Sequence, residues 1–310
     1  MCHDYYIMAK RSKTNCIPGP QKYTVADFQT EFPDDDACLN TIMEMRWPAG
    51  RKLCDKCGVE RKHYRVTGRT AFACDHCGNH IYPLAGTIFE KSTTSLRVWF
   101  YAIFQMGSTR CGVSAKQLQR ETGVTYKTAW RMFKQIRTLM SDEVTLEGSS
   151  VEMDETYVGG RRRNGKRGRS TEGNKSCVVG AVERQGKVIA IVGTDATKKT
   201  LHCIAKEYIL PASTVFTDEW SGYHGLEQVN GYQHRRVNHS AGVYVMGDAH
   251  TNTIEGFWSL VKRGIGGVYH SVGKGYLQSY VDEYRFRYNR RNDGQPMFTS
   301  LLAQVWERAE

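Results

Sequence analysis

The spacing of apolar positions changes twice along the chain, and each change marks a different kind of structure. From about Glu147 onward, apolar and polar residues alternate. VEMDETYVGG reads as a strand closed by a glycine pair, SCVVGAVER and KVIAIVGTD as a hairpin joined at a short Gln-Gly turn, and STVFTD and YQHRRVN as further strands. KKTLHCIAKEYI and NTIEGFWSLVKRGI instead repeat their apolar residues at helical spacing. Upstream, SLRVWFYAIFQMGSTRCGVSAKQLQRETGVTYKTAWRMFKQIRTLM has helical periodicity interrupted at two Gly-containing turns, which predicts three helices. Ser114 and Thr125 suit the N-caps of the second and third, with Thr122-Gly123 as the turn between them. Earlier still, VERKHYRVTGRTAFA alternates toward strand. These patterns predict a multi-domain α/β protein with units at 1–22 (a polar tail), 23–90, 91–146 and 147–310.

Cysteine spacing gives the second unit its chemistry. Four of the ten cysteines stand as Cys54-x2-Cys57 and Cys74-x2-Cys77, with 16 residues between the pairs. Each CxxC closes a tight turn presenting two thiolates, and two such turns on neighbouring hairpins supply the tetrahedral sulfur set that Zn²⁺ accepts. Redox-active pairs and two disulfides are the alternatives. MCHDYYIMAKRSK has no uninterrupted apolar core for a secretory signal, which favours one structural Zn²⁺ in an N-terminal zinc ribbon. His63, His76 and His80 are surplus to that set. Cys2, His3 and Cys16 have irregular spacing and read as a polar tail with free thiols, while Cys38, Cys111, Cys177 and Cys203 read as small core residues. Arg51, Lys52, Lys56, Arg61, Lys62, Arg65 and Arg69 make the ribbon basic, which favours phosphate contact over a purely structural role, with a solvated charged face as the open alternative.

The three-helix stretch has the form of a helix-turn-helix, with Leu118, Val124 and Ala129 at the spacing such motifs keep. Its last helix carries Lys127, Arg131, Lys134 and Arg137, and Tyr126, Lys127 and Arg131 are the candidate base or phosphate contacts. The competing reading is a helical linker that packs Trp99, Trp130 and Phe133 as core. A net charge of +11 favours a polyanionic partner, although ribosomal or acidic-membrane binding fits charge alone. Hydrophobic content of 40% argues against disorder, and no apolar run reaches the roughly 18 residues of a membrane span. A soluble, cytoplasmic protein is expected, nucleoid-associated in a bacterium.

Three acids then stand out. Asp154 lies within a strand, Asp218 ends another, and Glu255 opens an amphipathic helix on which Lys262 falls seven positions later, about two turns along the same face. Phosphodiester cleavage needs an activated water or 3′-hydroxyl and relief of charge on the leaving oxygen, which two hard divalent ions about 4 Å apart supply. Carboxylates are the natural holders of Mg²⁺. A chain with 32 acidic residues contains many spaced trios, so spacing alone is weak. No GxxxxGK[ST] phosphate loop is present, and no motif supports a Ser or Cys nucleophile.

In VEMDETYVGG, VFTDEWSGYHGL, HTNTIEGFWSLVKRGI and YLQSYVDEYRFRYNRR, the chain resembles insertion-sequence transposases of the DDE type, in the group with an N-terminal zinc ribbon. The resemblance covers roughly Tyr23 to Arg291. It implies a ribonuclease H-like mixed sheet with flanking helices, in which the first and fourth strands are neighbours and a later helix delivers Glu255. It also implies that Asp154, Asp218 and Glu255 hold two Mg²⁺ or Mn²⁺ ions, nick the ends of an element and join the 3′-hydroxyl to target double-stranded DNA. Pairing of two ends implies at least a homodimer on DNA. The 36 residues between Asp218 and Glu255 are similar to the family spacing, and Lys262, with Arg263 beside it, falls where these enzymes carry a basic contact to the element's end. Some relatives place Asn at the third acidic position; Asn252 and His250 are taken here as residues that orient the ligands, His250 reading equally as structural. GGRRRNGKRGRS, with Arg161, Arg162, Arg163, Lys166, Arg167 and Arg169, is a candidate DNA clamp or a solvated insertion. Trp258, Tyr280, Tyr284 and Tyr288 recur at helical spacing and read as core. Two other readings stay open: a non-catalytic DNA-binding regulator derived from a transposase, and a host nuclease of the same fold.

Overall fold

The computed structural model describes residues 23–159, 175–237 and 250–307. The tail with Cys2, His3 and Cys16 and the basic loop with Arg161, Arg162 and Arg163 lie outside these residues.

Helix α1 (Val25–Glu31) starts at a reciprocal cap, in which Thr24 Oγ1 accepts from Asp27 N and Asp27 Oδ2 accepts from Thr24 N. Helix α2 (Asp35–Arg46) is capped by Asp34. An antiparallel sheet follows in the order β1 (Arg51–Leu53), β2 (Glu60–Arg65), β3 (Phe72–Cys74), β4 (His80–Ile81). Helices α3 (Leu96–Ser108), α4 (Ala115–Thr122) and α5 (Tyr126–Thr138) come next. Ser114 accepts from Gln117 N and Thr125 from Thr128 N, as the sequence predicts, and Gly123 ends α4 at φ +76°, where a Cβ would be strained.

The second half is a mixed five-stranded sheet of β5 (Ser150–Val158), β6 (Ser176–Glu183), β7 (Val188–Gly193), β8 (Thr214–Thr217) and β9 (Gln233–Arg236), in spatial order β7-β6-β5-β8-β9. The first three are antiparallel neighbours, whereas β8 runs parallel to both β5 and β9. Helix α6 (Lys198–Tyr208) covers one face, packing Leu201 and Ala205 on Val151, Met153 and Val179. Helices α7 (Asn252–Gly264) and α8 (Leu277–Asn289) cover the other, packing Ile254, Phe257 and Val281 on Val178, Val182 and Ala190. The sheet and its helices are consistent with a ribonuclease H-like domain. Residues 265–269 continue α7 as a π-helical turn.

The last helix, α9 (Met297–Glu307), departs from the sequence reading. The sequence pattern assigns it to the 147–310 unit, but Phe298, Leu301 and Leu302 enter the core built by α1, α2, α3 and α5. Phe298 sits among aromatic rings there, stacked on Tyr23 at 5.0 Å and edge-on to Phe32 at 5.8 Å. The cysteine reading is corrected in part: Cys38 and Cys177 are buried, whereas Cys111 and Cys203 are exposed. Cys203 falls on the outer side of α6, whose inner stripe is Leu201, Ile204 and Ala205, and Cys111 lies in the irregular link before α4. No helix among the described residues is long and apolar enough to cross a membrane.

Candidate active site and metal centre

The two CxxC turns are built alike. Gly58 donates to Cys54 O and Gly78 to Cys74 O, each glycine at φ +67°, so each turn folds its second cysteine back toward the first. The four Sγ atoms lie within 4.8 Å of one another. Cys54 and Cys77 are 3.6 Å apart, and Cys57 and Cys74 3.9 Å. A tetrahedron with Zn–S of about 2.3 Å spaces its sulfurs about 3.8 Å apart, whereas a disulfide needs about 2.05 Å. The cluster is consistent with structural zinc. His63 is buried against its own strand, with Nδ1 3.0 Å from Arg61 O. Arg65 is not a free surface charge: it pairs with Asp36 at 2.6 Å and donates to the carbonyls of Val66 and Arg69.

Helix α5 divides its residues by face. Ala129, Met132, Phe133 and Ile136 are buried, while Tyr126, Lys127, Arg131 and Lys134 are exposed in a row on the outside. Trp99 and Phe133 are core and Trp130 is half-buried against Tyr276, so these aromatics pack as the linker reading expects. Arg137 is the exception among its basic residues. It is buried, donates to Glu283 at 2.6 Å and lies 3.8 Å over the Tyr280 ring. Glu283 also meets Arg287 at 2.6 Å and accepts from Tyr269 OH at 2.6 Å. Although burial works against it, Arg287 and Arg137 hold the Glu283 carboxyl below its usual range. Arg137 thus belongs to a buried joint between α5 and α8.

The acidic site forms on β5 just past the point where β8 ends beside it. Glu152 pairs with Phe216 in the parallel register, and carrying that register two residues on sets Asp154 beside Asp218. Asp154 is half-buried. Burial, reinforced by the charges of Glu155 and Asp218, pushes its carboxyl up to about 7. Such crowding of negative charge is what a divalent cation relieves. Asp218 turns back on its own chain, accepting from Trp220 N at 2.9 Å. Glu155 points to the opposite face, where Tyr223 OH donates to it at 2.9 Å.

Helix α7 is fastened over Asp154 by two contacts that sequence reasoning missed. Trp258 Nε1 donates to Asp154 Oδ2 at 3.0 Å, so the tryptophan read as core also touches the candidate ligand. Its indole lies against Gly180, the residue directly across from Asp154 on β6, where a Cβ would come within 2.6 Å of Trp258 Cζ2. The second contact is Glu152, fully buried on the same face of β5. Its Oε2 accepts from Thr253 N at 2.8 Å and Ile254 N at 3.1 Å, and its Oε1 from Thr253 Oγ1 at 2.9 Å. Arg184 Nε donates to it at 3.1 Å, and His250 Nδ1 lies 3.1 Å away. Thr251 makes no side-chain cap, so the strand carboxylate serves as the cap.

Glu255 is exposed on the first turn of α7, one turn before Trp258, and accepts from Thr251 Oγ1 at 3.2 Å. Among the described residues, no group of carboxylates is gathered as tightly as the four cysteines. Asn252 opens α7 and is exposed, and the contact of His250 is with Glu152. Lys262 and Arg263 are exposed near the end of α7. Lys262 lines a cleft of about 580 Å³ with Val158, Gly159, His270 and Lys274, next to the end of the Asp154 strand.

These two halves have counterparts in one class of protein. Residues 33–80 match the family model described as a transposase zinc-ribbon domain, and residues 145–289 match the ISXO2-like transposase domain. The chain belongs to the ISXO2-like DDE transposases with an N-terminal transposase zinc ribbon. It is 31% identical over 275 residues to an uncharacterized protein in transposable element ISH50 of Halobacterium salinarum, covering 83% of this chain and 91% of the relative. It is 30% identical over 103 residues to an uncharacterized transposase-like protein of Haemophilus influenzae, covering 33% of this chain and 81% of the relative.

Proposed function

We propose that this protein binds the ends of an insertion sequence, nicks them by metal-dependent phosphodiester hydrolysis and joins the freed 3′-hydroxyl to target DNA. The observation that carries this reading is the register of β5 and β8, which brings Asp154, within β5, beside Asp218, just past the end of β8, beneath the helix bearing Glu255. Asp154, Asp218 and Glu255 offer hard oxygen donors in a crowd of negative charge and fit Mg²⁺ or Mn²⁺. These carboxylates would hold two such ions, whose chemistry would be to activate water or a 3′-hydroxyl and to neutralise charge on the leaving oxygen. Trp258 holds Asp154 Oδ2 by its indole N–H. Glu152 fixes the start of α7 and thereby the position of Glu255. Lys262 offers a point charge to a phosphate on the helix that carries the acid. Asn252 and His250 act on the ligands from beside them, His250 through Glu152.

The exposed row Tyr126, Lys127 and Arg131 reads the element's end, within a recognition unit that spans the zinc-holding ribbon and the helix-turn-helix. Residues from 147 through α8 make up the catalytic unit, and two copies of the chain pair the two ends. The test uses the full-length protein and a labelled duplex containing the DNA that flanks its gene. In Mg²⁺ it should yield a nick with a 3′-hydroxyl at the element boundary, and excess EDTA should abolish it. Nicking that survives EDTA, or no nicking of either flank, contradicts the reading.

A further inference from the structure

The π-helical turn ends at Tyr269, and His270 then takes φ +59° with ψ −46°. That backbone conformation is costly for a side chain with a Cβ, and such strain persists only where the surroundings impose it. They do so through Tyr269, whose hydroxyl donates to Glu283 within the buried joint that also holds Arg137 of α5. Ser271 N closes back on Tyr269 O at 2.7 Å. His270 and Ser271 are exposed and are mounted at a fixed place relative to the recognition helix.

Two clefts meet at this ridge. One, of about 400 Å³, runs from His270 and Ser271 to α4 and α5, where Lys116, Arg120, Tyr126 and Trp130 line it. The other is the cleft of about 580 Å³ that runs from the same two residues to Lys262, Lys274 and the end of the Asp154 strand. Among the described residues, no aspartate or glutamate lines either cleft. Lys116 and Arg120 lie on the first helix of the helix-turn-helix pair, the one that crosses the sugar-phosphate backbone in such motifs, and Lys116 Nζ lies 4.9 Å over the Tyr126 ring.

We infer that the two clefts and the His270–Ser271 ridge form one continuous seat for duplex DNA, leading its backbone from the recognition helix to the Asp154 strand end. This rests on the transposase reading and adds to it the path of the substrate and the residues Lys116, Arg120, His270 and Lys274. A trough lined by Lys116, Arg120, Lys262 and Lys274 suits a polyanion, and each lysine that meets a phosphate releases counterions on binding.

The experiment measures the affinity of the full-length protein for a duplex carrying the DNA that flanks its gene, over a series of salt concentrations. Lys116→Ala and Lys274→Ala should each lower the slope of log affinity against log salt by about 0.9, one phosphate contact apiece. Lys206→Ala, on α6 across the sheet, should leave it unchanged. His270→Gly relieves the backbone and removes only the side chain, so a well-folded variant that binds several-fold more weakly is expected. Shortening the duplex from the element-boundary side should erase the effect of Lys274→Ala and keep that of Lys116→Ala. Slopes equal to wild type in both lysine variants, or a Lys274 effect that persists on the shortest duplex, overturn the seat even where wild type nicks normally in Mg²⁺. A wild-type protein that neither binds nor nicks these duplexes overturns the transposase reading and the seat together.

Discussion

Glu152→Ala removes the carboxylate that closes the start of α7, and the structure sets the size of the loss. Thr253 N and Ile254 N have no side-chain cap of their own helix to turn to. Loss of a cap costs about 1 kcal/mol, and Ile254 N, left buried without an acceptor, costs about 1–3 kcal/mol more. Arg184 adds little, because its side chain is 21% exposed and water replaces its partner. The total is about 3 kcal/mol. Glu152→Gln keeps one acceptor oxygen for the helix N–H groups and so should cost only about 1 kcal/mol. Urea unfolding followed by tryptophan fluorescence in EDTA measures both. The expected order of stability is wild type, then Gln, then Ala, with unfolding slopes unchanged. An Ala variant within about 0.5 kcal/mol of wild type means that α7 is not held by this carboxylate.

Trp258→Phe keeps most of the apolar packing and loses the bond to Asp154, so nicking should fall about 10–100-fold, with more metal needed for half-maximal rate; an unchanged metal requirement counts against its role. Gly180→Ala should cost about 1–3 kcal/mol in urea unfolding by crowding the same indole, and a neutral result would mean that the indole has room to move. In EDTA, Asp154→Asn should stabilise the protein relative to wild type. The folded pKa of Asp154 is about 7 against about 4 unfolded, so its favourable contribution is complete below pH 4 and lost as pH rises to 7. The advantage of Asn should therefore grow across pH 4–7 to about 2–4 kcal/mol and then level off, whereas a difference independent of pH would contradict the shift. Elemental analysis should find one zinc per chain in wild type and none in Cys57→Ser, which should also loosen the N-terminal sheet; full occupancy in the variant would exclude the four-cysteine site.

Features with local causes were legible in the sequence. Ser114, Gly123 and Thr125 announce their helix boundaries through their own backbone chemistry, and the two CxxC turns need only their neighbours to form. Alternation showed that Asp154 sits in a strand, but not that β5 and β8 are neighbours; the resemblance supplied that pairing, and the register bears it out. Partnerships formed across long stretches of chain escaped. Glu152 and Asp154 share a face of one strand, yet nothing in VEMDETY tells which of them meets a helix a hundred residues later. Arg137 looked like one more basic residue on a DNA-facing helix because Glu283, 146 residues away, is what buries it. Trp258 fits an apolar stripe whether or not its N–H has a partner, and the apolar face of α9 does not say which core it joins.

The assignment of the three acids stands or falls on nicking of an end-carrying duplex by Asp154→Asn, Asp218→Asn and Glu255→Gln. Each variant should be compared with wild type at protein concentrations giving equal occupancy of the DNA. Each substitution keeps the shape of its side chain and removes ligand charge, so cleavage in Mg²⁺ should fall to the uncatalysed background while end binding stays at the wild-type level. Wild-type rates of nicking in Asp154→Asn, at equal occupancy, would show that the chemistry happens elsewhere.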